Sequence, residues 1–234
     1  MGLPDKHAVA LSSGTSALFM ALWSLEASGK KIGMPVYVCS SLRNAVAMSN
    51  AKEVLIDNAK DSPNICLKEL QKSNSEIAII PHMFGLPNEI KNIKNIDLIE
   101  DCAQSLGALI GSKKTGLIGK AGIFSFYATK LITSGGQGGA IISKDKNLID
   151  AIRDYREFDN RRDNNIRFNF QMSDLNAAVG RVQLKQFEKF KNRRADIFNM
   201  YKDYGFNMMD SKSEKYVPIR YRAILNTNQP NKII

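Results

Sequence analysis

Cysteine, histidine and tryptophan are scarce in this chain of 234 residues: three, two and one, respectively. Cys39, Cys66 and Cys102 are odd in number and widely spaced, which excludes a disulfide framework and a metal knuckle and is expected of a reducing cytoplasm. His7 and His82 are too few for a multi-histidine metal site. No apolar run approaches the ~20 residues that a membrane-spanning helix needs. The opening "MGLPDKHAVAL" lacks the charged and apolar stretches of a signal peptide. Gly2 has no Ser or Thr at position 6 to go with it, so the myristoylation pattern is absent. What is present is ordinary for a globular protein: 44% hydrophobic and 24% charged residues. The length suits one large domain, or one and a part. The net charge of +10 is dispersed, with pairs at Lys113-Lys114, Arg161-Arg162 and Arg193-Arg194 and many single residues. No compact stripe or nucleic-acid motif emerges, so anionic small molecules or solvation account for the charge and no nucleic acid is expected.

Short apolar runs alternate with helical patterns. "HAVAL", "EVLID" and "IDLIED" read as strands, and "EIAIIPHMFG" as a strand leaving through a turn. "GTSALFMALWSLEAS", "SLRNAVAMS", "LKELQK" and "NEIKNI" read as helices, the first apolar nearly all round and therefore buried. This alternation predicts an α/β fold with a mostly parallel sheet covered by helices. The rhythm then changes. "GIFSFYA" and "GAIIS" leave too few residues between them for a helical crossover, so an antiparallel pair is expected. A helix over "NLIDAIRDYREF", a polar loop, and one long helix from an N-cap at Ser173 to about Tyr201 follow. "KYVPIRYRAIL" carries a period-two strand pattern through Val217, Ile219, Tyr221, Ala223 and Leu225.

In open α/β sheets, ligands bind beyond the C-terminal ends of the strands. Three segments are expected to meet there. In "LSSGTSAL", Ser13, Gly14, Thr15 and Ser16 stand at a strand-turn-helix junction that suits a phosphate or, equally, a plain N-cap. In "LIEDCAQSLGA", Asp101 ends an apolar strand, where a carboxylate can keep a heterocyclic nitrogen protonated or serve as a cap. In "FSFYATKLITSGGQGG", Lys130 lies between a strand and a cluster of glycines, five residues after Ser125. A partly desolvated lysine can form a Schiff base. The three together favour a phosphorylated carbonyl cofactor, and pyridoxal 5'-phosphate (PLP) needs this set of partners.

"SSGTSAL", "PHMFGLP", "EDCAQSLGA", "FSFYATK", "GGQGGA" and "FNFQMSDLNAAVGRVQL" resemble, in this order, the DegT/DnrJ/StrS family of sugar aminotransferases. The resemblance runs from about His7 to Tyr201 and more weakly to about Leu225. It implies the fold of the aspartate-aminotransferase class, PLP as cofactor, and a homodimer. By resemblance Lys130 is the Schiff-base lysine and Asp101 the partner of the pyridinium nitrogen. Gln104 lies by the 3-hydroxyl. Gly14, Thr15, Ser16 and Ser125 hold the phosphate, and Asn169 reaches the phosphate of the neighbouring subunit. Relatives with histidine in place of the lysine are dehydrases, so lysine here implies transamination.

The chain departs from the family at several positions. Cys39 stands where relatives often stack an aromatic ring on the cofactor. Gln137 replaces an acid in the glycine cluster, and Gln171 replaces an arginine. Relative to the family, the chain is short at both ends. The expected organisation is a PLP-binding large domain over 1–205 and the start of a small C-terminal domain over 206–234, with residues after about Gly205 forming a poorly packed arm unless a partner chain completes them. The function implied is amino transfer, from glutamate, to a nucleotide-linked keto-sugar in amino-sugar or polysaccharide biosynthesis, in the cytoplasm. The alternative is a non-catalytic homologue that binds PLP or serves only as a partner subunit.

Overall fold

Period-two burial on both faces is clearest in the segment Ile77–Pro81. Ile77 and Ile79 pack into one buried cluster, and Ala78 and Ile80 into another on the opposite side. A strand buried on both faces belongs to the centre of a parallel sheet. The computed structural model describes residues 2–4, 7–211 and 213–230. In chain order the elements are β1 (Ala8–Leu11), α1 (Gly14–Ser24), β2 (Lys31–Pro35), α2 (Ser41–Met48), β3 (Lys52–Ile56), α3 (Leu67–Lys72), β4 (Ile77–Pro81), β5 (Asp97–Asp101), β6 (Leu109–Ile110), β7 (Lys113–Lys114), β8 (Ala121–Ser125), β9 (Gly139–Ile142), α4 (Lys146–Arg156), α5 (Asp174–Lys185), α6 (Phe187–Asp203) and β10 (Tyr216–Val217).

Seven strands form the main sheet in the order β1-β9-β8-β5-β4-β2-β3. Only β9 runs against its neighbours, β1 and β8. The antiparallel pair expected around the glycine-rich segment is therefore β8–β9, and the rest of the sheet is parallel in sense. The C-terminal ends of β1, β4, β5 and β8 consequently open on the same edge. Helix α1 starts there, capped by Ser13, whose side chain accepts the N–H of Ser16. It is buried from Gly14 to Leu22, apart from Thr15, as its apolar circumference predicts.

Four details differ from the sequence reading. The stretch "NEIKNI" forms no helix: the Asn88 N–H is drawn to His82 Nδ1 at 3.0 Å, and Ile90 is buried. The single long helix is two, because the backbone at Gln186 leaves helical geometry between α5 and α6; Ser173 is the N-cap as expected. Strand β2 was missing from the reading, since "KIGMP" holds both a glycine and a proline. The expected strand "KYVPIRYRAIL" is paired at Tyr216–Val217, against β6, and again through a single antiparallel bridge from Leu225 to Met208, with no continuous strand between.

The poorly packed arm is also corrected at Ile219 and Tyr221. Ile219 and Tyr221 are only 3% and 5% exposed. The reason is local: the Ile219 N–H donates to the Gly85 carbonyl at 3.0 Å, and Gly85 leaves room for this approach. Gly85 has φ +85°, and a Cβ there would overlap the Ile219 carbonyl oxygen. Gly85→Ala therefore combines left-handed strain of roughly 1–2 kcal/mol with overpacking of about 1–3 kcal/mol. It is expected to destabilise the protein by at least about 2 kcal/mol and to expose 216–225 to protease. Unchanged denaturant midpoints and cleavage rates would show that this docking contributes nothing.

Candidate active site

A cavity of about 290 Å³ lies at the shared strand edge. Ser13, Gly14 and Thr15 line it from the start of α1, Asp101 and Gln104 from the end of β5, and Ser125, Tyr127 and Lys130 from the segment after β8. Cys39 closes one side. Of the residues singled out by sequence, Gly14, Thr15, Cys39, Asp101, Gln104, Ser125 and Lys130 are brought together here. Ser16 is not: its N–H and hydroxyl are taken up in a capping box with Ser13, which lines the cavity in its place. Asn169 is exposed and outside the cavity, its Oδ1 accepting the Gln171 N–H at 3.0 Å.

Each wall has a physical cause. Gly14 packs so closely on Ser125 that a Cβ would lie 2.8 Å from the Ser125 Cβ. The bare helix start and the Ser125 hydroxyl thus form one cup, with amide N–H groups that favour an anion. Asp101 is 8% exposed, and its Oδ1 accepts the Ala103 N–H at 2.9 Å. Burial raises its carboxyl above the usual range, while the Ala103 N–H and the Lys130 charge pull the other way. A desolvated carboxylate of this kind favours a cationic N–H donor opposite it. Gln104 Oε1 accepts the Phe84 N–H at 2.6 Å, which leaves the amide NH₂ as the end free to donate. Phe84 holds that N–H in place with φ +56°, a strained value for a bulky residue. The Cys39 thiol is held below its usual range by hydrogen bonds from the Ser41 side chain and backbone, against the effect of burial.

Sequence reasoning missed the layer beneath. Glu100 is fully buried and accepts the N–H groups of Gly116, Ile118 and Gly119 at 2.7–2.8 Å. His82 Nε2 donates to it at 3.1 Å, the proton being fixed on that nitrogen because Nδ1 accepts from Asn88. Burial would raise the Glu100 carboxyl, but these hydrogen bonds outweigh it and hold the group below the usual carboxylate range. His82, Glu100 and Cys102 lie close enough to suggest a metal centre. Their ligand atoms are already engaged, and burial raises the Cys102 thiol well above its usual range. The available signal was alternation: if Asp101 faces the cavity, Glu100 must face the interior and needs partners.

A parallel sheet with one reversed strand, and a lysine and an acid across the cavity at its open edge, define an aminotransferase-type α/β fold. The comparisons agree with that class. The family model described as the DegT/DnrJ/EryC1/StrS aminotransferase family matches residues 2–219. The chain belongs to that family. It is similar to a GDP-perosamine synthase of Escherichia coli O157:H7, 28% identical over 84% of this chain and 58% of that protein. It is similar also to a UDP-4-amino-4,6-dideoxy-N-acetyl-beta-L-altrosamine transaminase of Campylobacter jejuni, 33% identical over 84% of this chain and 57% of the relative. Among solved structures, the aminotransferase TlmJ of Streptoalloteichus hindustanus superposes with a TM-score of 0.90 at 20% identity, over 99% of this chain and 69% of its own. The chain thus spans less than two thirds of the length of these curated relatives.

Proposed function

We propose that the chain forms the cofactor-binding part of a PLP-dependent aminotransferase. It moves an amino group, with glutamate as donor, to a nucleotide-linked keto-sugar in amino-sugar or polysaccharide biosynthesis. The observation that carries this reading is the single cavity shared by Lys130, Asp101 and the start of α1. The relatives named for GDP- and UDP-linked sugars support the substrate class, and the net charge of +10 suits a diphosphate.

The residues present fit the cofactor. The cup of Gly14, Thr15 and Ser125 would hold its phosphate, with Ser16 acting through the cap. Asp101 would pair with the ring nitrogen, and the Gln104 NH₂ would donate to the ring oxygen. Cys39 would pack on the ring face. When bound, PLP supplies a carbonyl that condenses with amines and a ring that accepts electron density. Lys130 is the only described residue whose amine reaches the cavity, so it would take the proton from the substrate carbon and return it. A desolvated Asp101 would keep its charge by holding the ring proton opposite it. Amino transfer to a panel of nucleotide-linked keto-sugars, from glutamate and with PLP added, tests the reading. A folded chain that takes up no PLP would sink it and restore the partner-subunit alternative.

The same reading places the protein in the cytoplasm, supported by three free cysteines. Among the described residues no helix is long and apolar enough to cross a membrane. It also makes the protein a homodimer in which Asn169 reaches the phosphate in the partner subunit. The support is the bare face of α5, which has no buried residue and leaves Leu175 83% exposed. Asn169→Ala is expected to weaken PLP binding about tenfold, the worth of one hydrogen bond to a charged group. Equal affinity in a dimer of confirmed size would remove the cross-subunit contact.

A further inference from the structure

Lys130 lines two cavities. One is the cavity of Asp101; the other, of about 600 Å³, lies between the segment after β8, α6 and residues 220–223. On that second side its Nζ stands 5.4 Å from the centroid of the Tyr221 ring. That is within the range of a cation–π contact. We propose that the face of Tyr221 is the resting site of the Lys130 ammonium, and that Tyr221 is a positioning residue for this lysine.

The ring is anchored firmly enough to do this. The Tyr221 N–H donates to the Ile219 carbonyl at 2.8 Å, and Arg194 Nη1 donates to the Tyr221 carbonyl at 2.9 Å. Ile219 is bonded to Gly85, one residue from the Phe84 N–H that orients Gln104. The wall that sets Gln104 and the ring that receives Lys130 are therefore one connected unit.

The electrostatics of the second cavity leave the ring as its attractive feature. No carboxylate lines it; Arg193, Arg194 and Arg220 do. Arg220 is already engaged, with Asp210 at 2.7 Å and with the Phe198 ring at 3.7 Å. Arg222 lies on the Tyr221 ring at 5.1 Å. From the first cavity, Asp101 and Cys39 act on the lysine. Lys130 thus has two attractors, the Asp101 carboxylate and the Tyr221 ring. Once a ring N–H occupies Asp101, the aromatic face is the remaining one. A lysine that must leave a cofactor and come back gains from a fixed place nearby, because its return is then a short side-chain rotation.

This inference rests on Lys130 being the reactive amine, and its test does not. In cofactor-free protein whose lysines are reductively methylated with a ¹³C label, the ring current of Tyr221 is expected to displace the methyl resonance of Lys130, assigned as the one missing in Lys130→Arg. Tyr221→Leu is expected to abolish that displacement, and Tyr221→Phe, which keeps the ring, to retain it, while the resonance of the exposed Lys52 stays in place in both. An unmoved resonance in Tyr221→Leu, or an equal loss in Tyr221→Phe, would overturn the proposal. If Tyr221→Leu does not fold, Tyr221→Met, also without a ring, reads the same quantity. Borohydride labelling of Lys130 separately tests the reading beneath: a ring-current displacement without labelling would discard that reading and keep this contact.

Discussion

Lys130→Ala is expected to abolish amino transfer, with a fall of at least about 10⁴-fold, the upper end of what a positioned acid–base group contributes. Two losses coincide at one atom. On the proposed reading, the amine that would condense with the carbonyl of PLP is gone, and so is the group that would carry the proton. In the wild type, borohydride treatment with PLP present is expected to add hydride to the carbon–nitrogen link that Lys130 would form, leaving a stable secondary amine on the peptide that contains it. In Lys130→Ala that mass is absent. Cofactor held by the α1 cup and Asp101 should still be retained weakly, since those contacts do not involve the lysine. Labelling at Lys120 or Lys144 in place of Lys130 would refute the assignment. Lys120 is paired with Asp97, and Lys144 Nζ donates to the Leu117 carbonyl, so neither is directed at the cavity.

Much of this site was legible because its residues sit where chain direction changes. Asp101 ends an apolar strand, Lys130 follows another, and Ser13 opens a helix; each carries a local signature. The phosphate role read for Ser16 was less secure, because a serine two residues into a helix serves a cap as readily as a ligand. Partners without side chains left no trace in the sequence. The three amides that hold Glu100 belong to Gly116, Ile118 and Gly119, and any residue but proline offers the same N–H. The break at Gln186 has neither glycine nor proline to mark it. The turn after "EIAIIPHMFG" was legible, but the docking of Ile219 on Gly85 that brings Tyr221 to the site is a backbone contact that neither segment marks. The helix expected over "NEIKNI" yielded to a tertiary bond, Asn88 to His82, which outweighs weak local propensity.

The second large effect is expected at Glu100, through folding rather than chemistry. Its carboxylate is the acceptor for four donors, the N–H groups of Gly116, Ile118 and Gly119 and His82 Nε2. Glu100→Ala strands all four, with His82 and Gly116 buried and Ile118 and Gly119 part-buried. At about 1–3 kcal/mol for each unsatisfied donor, even partial rescue by water leaves a loss of roughly 3–5 kcal/mol. That is a large part of the 5–15 kcal/mol, approximately, that holds an ordinary domain folded. Glu100→Gln is a sharper probe. Its oxygen can keep Ile118 and Gly119, but its NH₂ then faces the Gly116 N–H and His82 Nε2–H, donor against donor. His82 cannot adapt by moving its proton to Nδ1, because that nitrogen already accepts from Asn88. The glutamine is therefore expected to cost about 2–4 kcal/mol despite matching the native shape. The acid limb of stability follows from the same contacts. The Glu100 carboxyl is held below its ordinary value in the folded state. Its contribution is thus complete above the unfolded value of about 4.3 and is lost as pH falls through the lower, folded one. Denaturant titrations of wild type and Glu100→Gln across that window are expected to converge as the pH drops. Parallel curves would mean that the carboxylate charge at Glu100 does not stabilise the turn over residues 116–119.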